Sequence, residues 1–334
     1  MNYIGSKIRL SEFIVQSVKD TVGDTSDKVF CDLFAGTGCI GRAFKPITRK
    51  VISNDLEYYS YVLNKNYIEN VGYIGDTDDY IRKLNDVEPI KGFIYNNYCF
   101  GGSGRLYFSD DNGMKIDAMR QKIESWYVND GLSDKLYYFL LTCLLESADK
   151  VANTASVYGA YLKKLKKSAL NQLIIAPVEY GDGGIDNKVF NVDGNHLTKE
   201  IEGDILYLDP PYNTRQYGSN YHLLNTIALY DEFVPKGKTG LRDYNRSNYC
   251  SKSKVLKSFD DLLSNSKFNY IFLSYNNEGL MSVEEIRETM EKYGKYELVS
   301  TEYQRFRSDK EESRKYISNR TMEYLHILTK GEEN

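Results

Sequence analysis

Histidine is scarce in this 334-residue chain. Only His196, His222 and His326 occur, too few and too scattered for a histidine-based triad to organise its chemistry. Cysteine is equally sparse. Cys31, Cys39, Cys99, Cys143 and Cys250 form no C-x-x-C pair and have no histidines close by, so neither a zinc site nor a disulfide framework is indicated. No apolar run approaches the ~20 residues that cross a bilayer, and the opening "MNYIGSKIRLSEF" lacks the apolar core of a signal peptide. A cytoplasmic protein is therefore expected. Internal repeats and low-complexity stretches are missing as well. So is an excess of positive charge: the formal net charge is -4, which taken alone argues against a nucleic-acid partner.

The distribution of charge argues the other way. Residues 236 to 257, "KGKTGLRDYNRSNYCSKSKVLK", hold seven Lys/Arg against one Asp, so this stretch is +6 and the remainder -10. It reads either as a solvated lysine-rich loop or as a phosphate-contacting surface. Tyr244, Asn245, Ser247, Asn248, Tyr249 and Ser251, interleaved with Arg242 and Arg246, favour phosphate contact, because such side chains supply many phosphate hydrogen bonds.

The length allows one large domain or two modest ones. Apolar residues Ile8, Leu10, Phe13, Ile14 and Val18 recur near helical spacing, with Ser6 as a candidate cap, so a helix opens the chain. "KVFCDLF", ending in the glycine turn "AGTGCIG", then a helix, "KVISND" and the helical "LEYYSYVLNKNYIEN" make a βαβ unit. Helical patterns dominate from Asp76 to Ala169, and "LKKLKK" (162 to 167) reads as a solvated helix face. Strand signals return in "LIIAPVEY", "KVFNVDG", "DILYLD", "YIFLSY", "YELVSTEY" and "YLHILTK". The expected organisation is an α/β sheet domain from residues 1–75 and 170–334, interrupted by a mainly helical insertion at 76–169.

Two motifs carry the chemistry. "FAGTGCIG" places Gly36, Gly38 and Gly41 after a strand in a G-x-G-x-x-G pattern. Such a turn can seat a dinucleotide pyrophosphate on a helix N-terminus, or make room for S-adenosylmethionine; Asp55, ending the next strand, serves either ribose. Asp32 and the bulky Phe34 favour S-adenosylmethionine, since a carboxylate there repels pyrophosphate but suits a cationic amino end. In "YLDPPYN", the prolines end the strand because they have no N–H to donate, leaving Asp209 at its carboxyl end, where open α/β sheets bind ligands. Alone, the motif reads first as an Asp-Pro turn with a surface tyrosine.

"NYIGSK" (2 to 7), "DLFAGTG" (32 to 38) and "DPPY" (209 to 212), in that order, resemble the Dam-like amino-methyltransferases that modify adenine in DNA. "GRLYFSDDNGMKIDAMRQKIE", "ANTASVYGAYLKKLKKSAL", "DPPYNTRQYGSNYHLLNTIA" and "SYNNEGLMS" place the chain closest to the group that includes the FokI modification methylase. The resemblance implies a Rossmann-like methyltransferase sheet with a helical DNA-recognition insertion, and transfer of a methyl group from S-adenosylmethionine to the amino group of an adenine flipped out of duplex DNA. It implies Asp209 and the Pro210 carbonyl as acceptors for that amino group, Pro211 as a stiffener and Tyr212 as the stacking face. Tyr3, Lys7, Asp32, Phe34, Gly36, Gly38, Asp55 and, from the looser "FNVDGNHL", Asp193 belong by resemblance to the cofactor site. Arg105, Tyr107, Lys163, Lys164, Arg242, Arg246, Arg305 and Arg307 are the DNA-contact candidates, the last two in a hairpin loop over the catalytic face. No metal is expected. A cognate restriction endonuclease encoded nearby and action as a monomer fit this reading. Competing readings are methylation of RNA adenine or of a protein glutamine, and a DNA-binding regulator that has kept the fold without turnover.

Overall fold

The structure, a computed structural model, describes Lys7, residues 10–304 and residues 320–331, without the side chains of 302–304, 320 and 321. Its described residues form two compact units. One comprises Gly5–Leu56, Asp182–Gln216 and Arg246–Asn334; the other includes Glu57–Gly181 and Tyr217–Asn245. The helical unit thus extends beyond residues 76–169, taking in 57–75 before them, 170–181 after them and 217–245 from farther downstream.

The first unit holds all seven described strands: β1 (Val29–Asp32), β2 (Lys50–Asn54), β3 (Lys188–Phe190), β4 (Glu202–Leu208), β5 (Lys267–Asn276), β6 (Lys295–Gln304) and β7 (Arg320–Thr329). They form one mixed sheet in the order β3-β2-β1-β4-β5-β7-β6. β1 to β5 run parallel, and β7 pairs antiparallel with both β5 and β6. Every residue of β1 is buried, as are Ile205 to Leu208 of β4. Such continuous apolar runs are what a parallel sheet covered on both faces requires. On one face Leu206, Leu208, Ile271 and Leu273 pack with Phe259, Leu262 and Leu263 of the helix Val255–Asn265 and with Ile286 and Met290 of the helix Val283–Met290. Phe30 and Phe44 also stack, at 3.9 Å between ring centres. The outermost strand, β6, exposes Lys295 and Glu297, charges that discourage another chain from pairing with its free edge.

Parallel pairing brings the carboxyl ends of β1, β2, β4 and β5 to one edge. β7 runs the other way, so its beginning reaches that same edge, with Glu323 opposite Asn276 at the end of β5.

The second unit is built on the helices Asp110–Asn129 and Asp134–Val151, capped by the hydroxyls of Ser109 and Ser133, which accept the N–H groups of Asn112 and Leu136. These caps satisfy donors that a helix start otherwise leaves orphaned. Buried Asp117 accepts the N–H groups of Gly92, Ile94 and Tyr95 and so caps the helix Phe93–Tyr98. Arg120 does the complementary work, donating to the carbonyls of Ile227 and Ala228 at the end of the helix His222–Leu229. Among the described residues no helix is long and apolar enough to cross a membrane.

Three local expectations differ from the structure. The opening helix spans Ser11–Val22 with Leu10 before it, and Ser6 lies outside the described residues. "LIIAPVEY" is not a strand. The N–H groups of Leu173 and Ile175 go to the side chains of Asn112 and Asn85, so helix asparagines take the place of a β ladder. "LKKLKK" is irregular up to a short 3₁₀ turn at Lys167–Leu170; the buried Asn153 side chain accepts from the Lys166 N–H and donates to the Leu106 and Leu162 carbonyls.

Candidate active site

At the end of β1 the chain turns through Gly36 and Gly38, both with positive φ (52° and 75°), and enters the helix Cys39–Phe44 with Gly38 as its N-cap. Only glycine adopts these angles without steric cost. The turn is held from the neighbouring strand: the Gly36 N–H donates to Asp55 Oδ2 at 2.8 Å, and Asn54 Nδ2 donates to the carbonyls of Leu33 and Val192. Asp32 sits beneath the turn, 1% exposed. Its Oδ2 accepts the Gly41 N–H at 3.2 Å, while its Oδ1 has no hydrogen-bond partner among the described residues. Burial, and then the nearby Asp209 carboxylate, push its pKa well above the ordinary carboxylate range. A buried carboxylate with an orphaned oxygen and acidic neighbours is short of a cation.

Beside it Phe34 meets Tyr249 edge to face at 5.1 Å. The Tyr249 hydroxyl donates to Asn195 at 2.9 Å, and a Cβ on Gly194 would lie 3.3 Å from Leu33 and 3.4 Å from Phe34. Asp193, exposed, precedes this pair and accepts the His196 N–H. The glycine turn, Asp32, Phe34 and Asp55 therefore occupy one edge of the sheet, with Asp193 at the far end of the group.

Asp209 follows β4 directly, one strand over from β1. Its side chain is 20% exposed and lies 3.4 Å from the Lys7 ammonium. Lys7 is itself buried and hydrogen-bonds to Glu323, whose Oε1 also accepts the Ser274 hydroxyl at 3.0 Å. Burial opposes the charge on Lys7, but Asp209 and Glu323 outweigh it and raise the lysine above its ordinary pKa. The Asp209 carboxyl is pushed up to about 6: burial raises it, Lys7 draws it back, and Glu323 raises it again. It is thus mostly ionised at neutral pH, with its acid form within reach. Pro210 is buried, Pro211 and Tyr212 half-buried. The Tyr212 carbonyl accepts the Leu280 N–H at 3.0 Å, and its ring packs against the sheet core.

Glu323 was not foreseen. The available signal was one acid inside the mainly apolar run "MEYLHIL", but its partner lies 316 residues away. Of the expected site residues, Tyr3, Arg305 and Arg307 fall outside the described residues. Lys163 and Lys164 are exposed in the helical unit, and Arg246 is exposed in the sheet unit. Three DNA-contact expectations meet a physical obstacle. Tyr107 is fully buried, its hydroxyl placed on the carbonyls of Tyr158 and Thr239. Arg105 spends its guanidinium on the carbonyls of Asn97, Gly237 and Lys238. Arg242 makes a two-pronged ion pair with Asp231, at 2.9 and 2.8 Å, beside the Phe233 ring. All three hold the 236–242 turn within the helical unit. Lysine-rich sequence alone could not distinguish donors already committed to the chain from donors left for a ligand.

Comparison with known proteins agrees with this geometry. The family model of the D12 class N6 adenine-specific DNA methyltransferase matches residues 3–289. Type II methyltransferase M.NlaIII of Neisseria lactamica is 58% identical over 332 residues, covering 99% of this chain and 99% of that protein. Type II methyltransferase M.CviAII of Paramecium bursaria Chlorella virus 1 is 38% identical, covering 92% and 93%. Type II methyltransferase M.FokI of Planomicrobium okeanokoites is 36% identical over 99% of this chain but 53% of its own length. The expectation of closest kinship with the FokI group is therefore wrong: M.NlaIII is 58% identical to this chain, against 36% for M.FokI.

Proposed function

We infer the chemistry of this site from one premise: the chain belongs to the D12 class of N6 adenine-specific DNA methyltransferases. It is a site-specific DNA adenine methyltransferase with S-adenosylmethionine as methyl donor and double-stranded DNA as substrate. The observation that carries the assignment of roles is adjacency. Asp209 leaves β4 beside the β1 end where the glycine turn and Asp32 lie, so acceptor and donor sites occupy neighbouring strand ends.

Asp209 and the Pro210 carbonyl are the two acceptors for the adenine amino group. That nitrogen is a poor nucleophile because its lone pair is delocalised into the ring. Accepting both of its hydrogens favours a pyramidal nitrogen with the lone pair directed outward, and an acceptor pair fixed by two prolines does so with little reorganisation. The ionised form of Asp209 does this work, since the protonated form offers one acceptor fewer. Tyr212 stacks on the base once it has left the duplex, offsetting part of a flipping cost of a few kcal/mol.

The site fits the methyl donor. The orphaned Asp32 Oδ1 would take its cationic amino end, Gly36 and Gly38 would allow close backbone approach, Asp55 would take the ribose hydroxyls, and Phe34 and Asp193 would hold the adenine. We assign Lys7 to the same cofactor site, and Tyr3 from its sequence alone. When bound, S-adenosylmethionine supplies a methyl group on a positively charged sulfur. In the helical unit, exposed Lys163 and Lys164 are the better phosphate contacts, joined by Arg246 from the sheet unit and, from sequence alone, by Arg305 and Arg307. We further assign the chain to the modification side of a restriction-modification system, acting as a monomer in the cytoplasm with a cognate endonuclease encoded nearby.

The test is transfer of labelled methyl from S-adenosylmethionine to unmethylated duplex DNA. Asp209→Ala is expected to lower transfer by about 10²-fold or more, the scale for removing one preorganised polar group, with binding of S-adenosylhomocysteine retained. Undiminished transfer by that variant refutes the assignment of Asp209.

A further inference from the structure

Lys7 stands between two carboxylates and does not treat them alike. It hydrogen-bonds to Glu323, yet stays 3.4 Å from Asp209 Oδ1. A charge-assisted N–H···O bond closes to about 2.7–2.9 Å, so the Asp209 contact is an ion pair held short of full closure. The restraint comes from three strands. Asp209 follows β4, Ser274 lies in β5 directly after the Leu208–Leu273 pairing, and Glu323 enters from antiparallel β7. The Ser274 hydroxyl fixes the Glu323 carboxylate that draws the ammonium toward β7. Lys7 and Glu323 are each 9% exposed in their side chains, so water does little to screen this balance.

We propose that Glu323 is a positioning residue for methyl transfer: it holds the Lys7 ammonium off Asp209, so that an oxygen of the Asp209 carboxylate stays open to the adenine amino group. This rests on the reading of Asp209 as acceptor. Without the Glu323 charge, Lys7 closes on Asp209, and the acceptor oxygen is consumed within the protein. The other titratable groups near Asp209 are Asp32 at the end of β1, Cys39 on the helix Cys39–Phe44 and the Tyr207 phenol on β4. None of these is a cation, so Lys7 alone supplies the stabilising charge among the described neighbours, and Glu323 alone competes for it.

The direction of the effect separates this role from a purely structural one. Removing the Glu323 charge eases ionisation of Asp209, because Glu323 opposes it and a closer Lys7 assists it. The experiment compares kcat/KM for duplex DNA across pH 5–9 in the parent chain, Glu323→Gln and Glu323→Asp, with S-adenosylhomocysteine binding and thermal melting measured on each. For Glu323→Gln the acid limb is expected to move to lower pH while the plateau falls by about tenfold, the equivalent of one missing hydrogen bond, with cofactor binding within twofold. Glu323→Asp keeps the charge and is expected to lie between the two, which also serves if the glutamine variant fails to fold. A Glu323→Gln profile that superimposes on the parent, or moves to higher pH, overturns the proposal. So does a folded Glu323→Asp variant with a lowered plateau and an acid limb moved upward. Full activity in Asp209→Ala instead sinks the acceptor reading itself.

Discussion

Replacing Asp32 by asparagine should make the chain more stable and less able to hold its methyl donor. Asp32 is buried, its Oδ1 has no partner among the described residues, and its charged neighbours Asp209 and Asp55 share its sign. Its folded pKa is raised, so its contribution is unfavourable above the unfolded pKa of roughly 3.9 and fades below it. The cost has a ceiling, because the group can always take up a proton. At about 1.36 kcal/mol per pH unit, that ceiling is about 5 kcal/mol at pH 7.5. Asparagine keeps an oxygen for the Gly41 N–H but leaves a neutral amide orphaned at about 1–3 kcal/mol. The difference is a gain of at most about 2–4 kcal/mol at pH 7.5, read as a rise in melting temperature. Melting without ligand at pH 7.5 and pH 4, and again with S-adenosylmethionine, checks both effects. The gain should vanish at pH 4, and the ligand-induced rise should shrink, because the bound cation has lost its counter-charge. An Asp32→Asn variant no more stable at pH 7.5, or one stabilised by ligand as strongly as the parent, refutes the role given to this carboxylate.

Gly38→Ala should cost about 1–2 kcal/mol in denaturant unfolding, because φ of 75° is left-handed, and Gly38→Asn should cost less; equal costs would show that strain is not the cause. Tyr107→Phe should destabilise by about 0.5–1.5 kcal/mol by taking one donor from the Tyr158 and Thr239 carbonyls, while DNA affinity stays within twofold; the opposite pattern would restore Tyr107 as a DNA contact. Lys163→Ala with Lys164→Ala should weaken binding evenly across DNA sequences and reduce the salt slope by about 0.9 for each phosphate no longer neutralised. A slope that does not change would remove both lysines from the phosphate surface.

What the sequence disclosed, and what it withheld, follows from the range of the interactions. β1, β4 and β5 could be read because a strand buried on both faces announces itself as an uninterrupted apolar run. "DLFAGTG" and "DPPY" could be read because a positive φ demands glycine and a strand end demands residues that leave the ladder, both local requirements. "LIIAPVEY" misled for the converse reason. Its alternation was real, with Leu173 and Ile175 buried and Ile174 exposed, but its backbone partners are the asparagines of two helices, and periodicity carries no information about who answers an N–H. The same gap hid the fate of Arg105 and Arg242, whose donors are consumed by carbonyls and a carboxylate that no spacing rule brings near.

Glu323 sharpens that point into an argument about the sheet. In an all-parallel sheet every side chain at the ligand-binding edge must come from a strand's carboxyl end or the loop beyond it, and a motif there is contiguous and legible. β7 breaks the pattern by running antiparallel, which brings the beginning of a strand to that edge. A residue placed there is followed by the strand's apolar run rather than preceded by it, so it carries none of the "strand, then acid" signature that exposed Asp32, Asp55 and Asp209. Reversing one strand thus adds a second acid beside Lys7 without lengthening the loop that carries Asp209. That arrangement allows Asp209 to be tuned from a neighbouring strand while its own backbone stays fixed by Pro210 and Pro211.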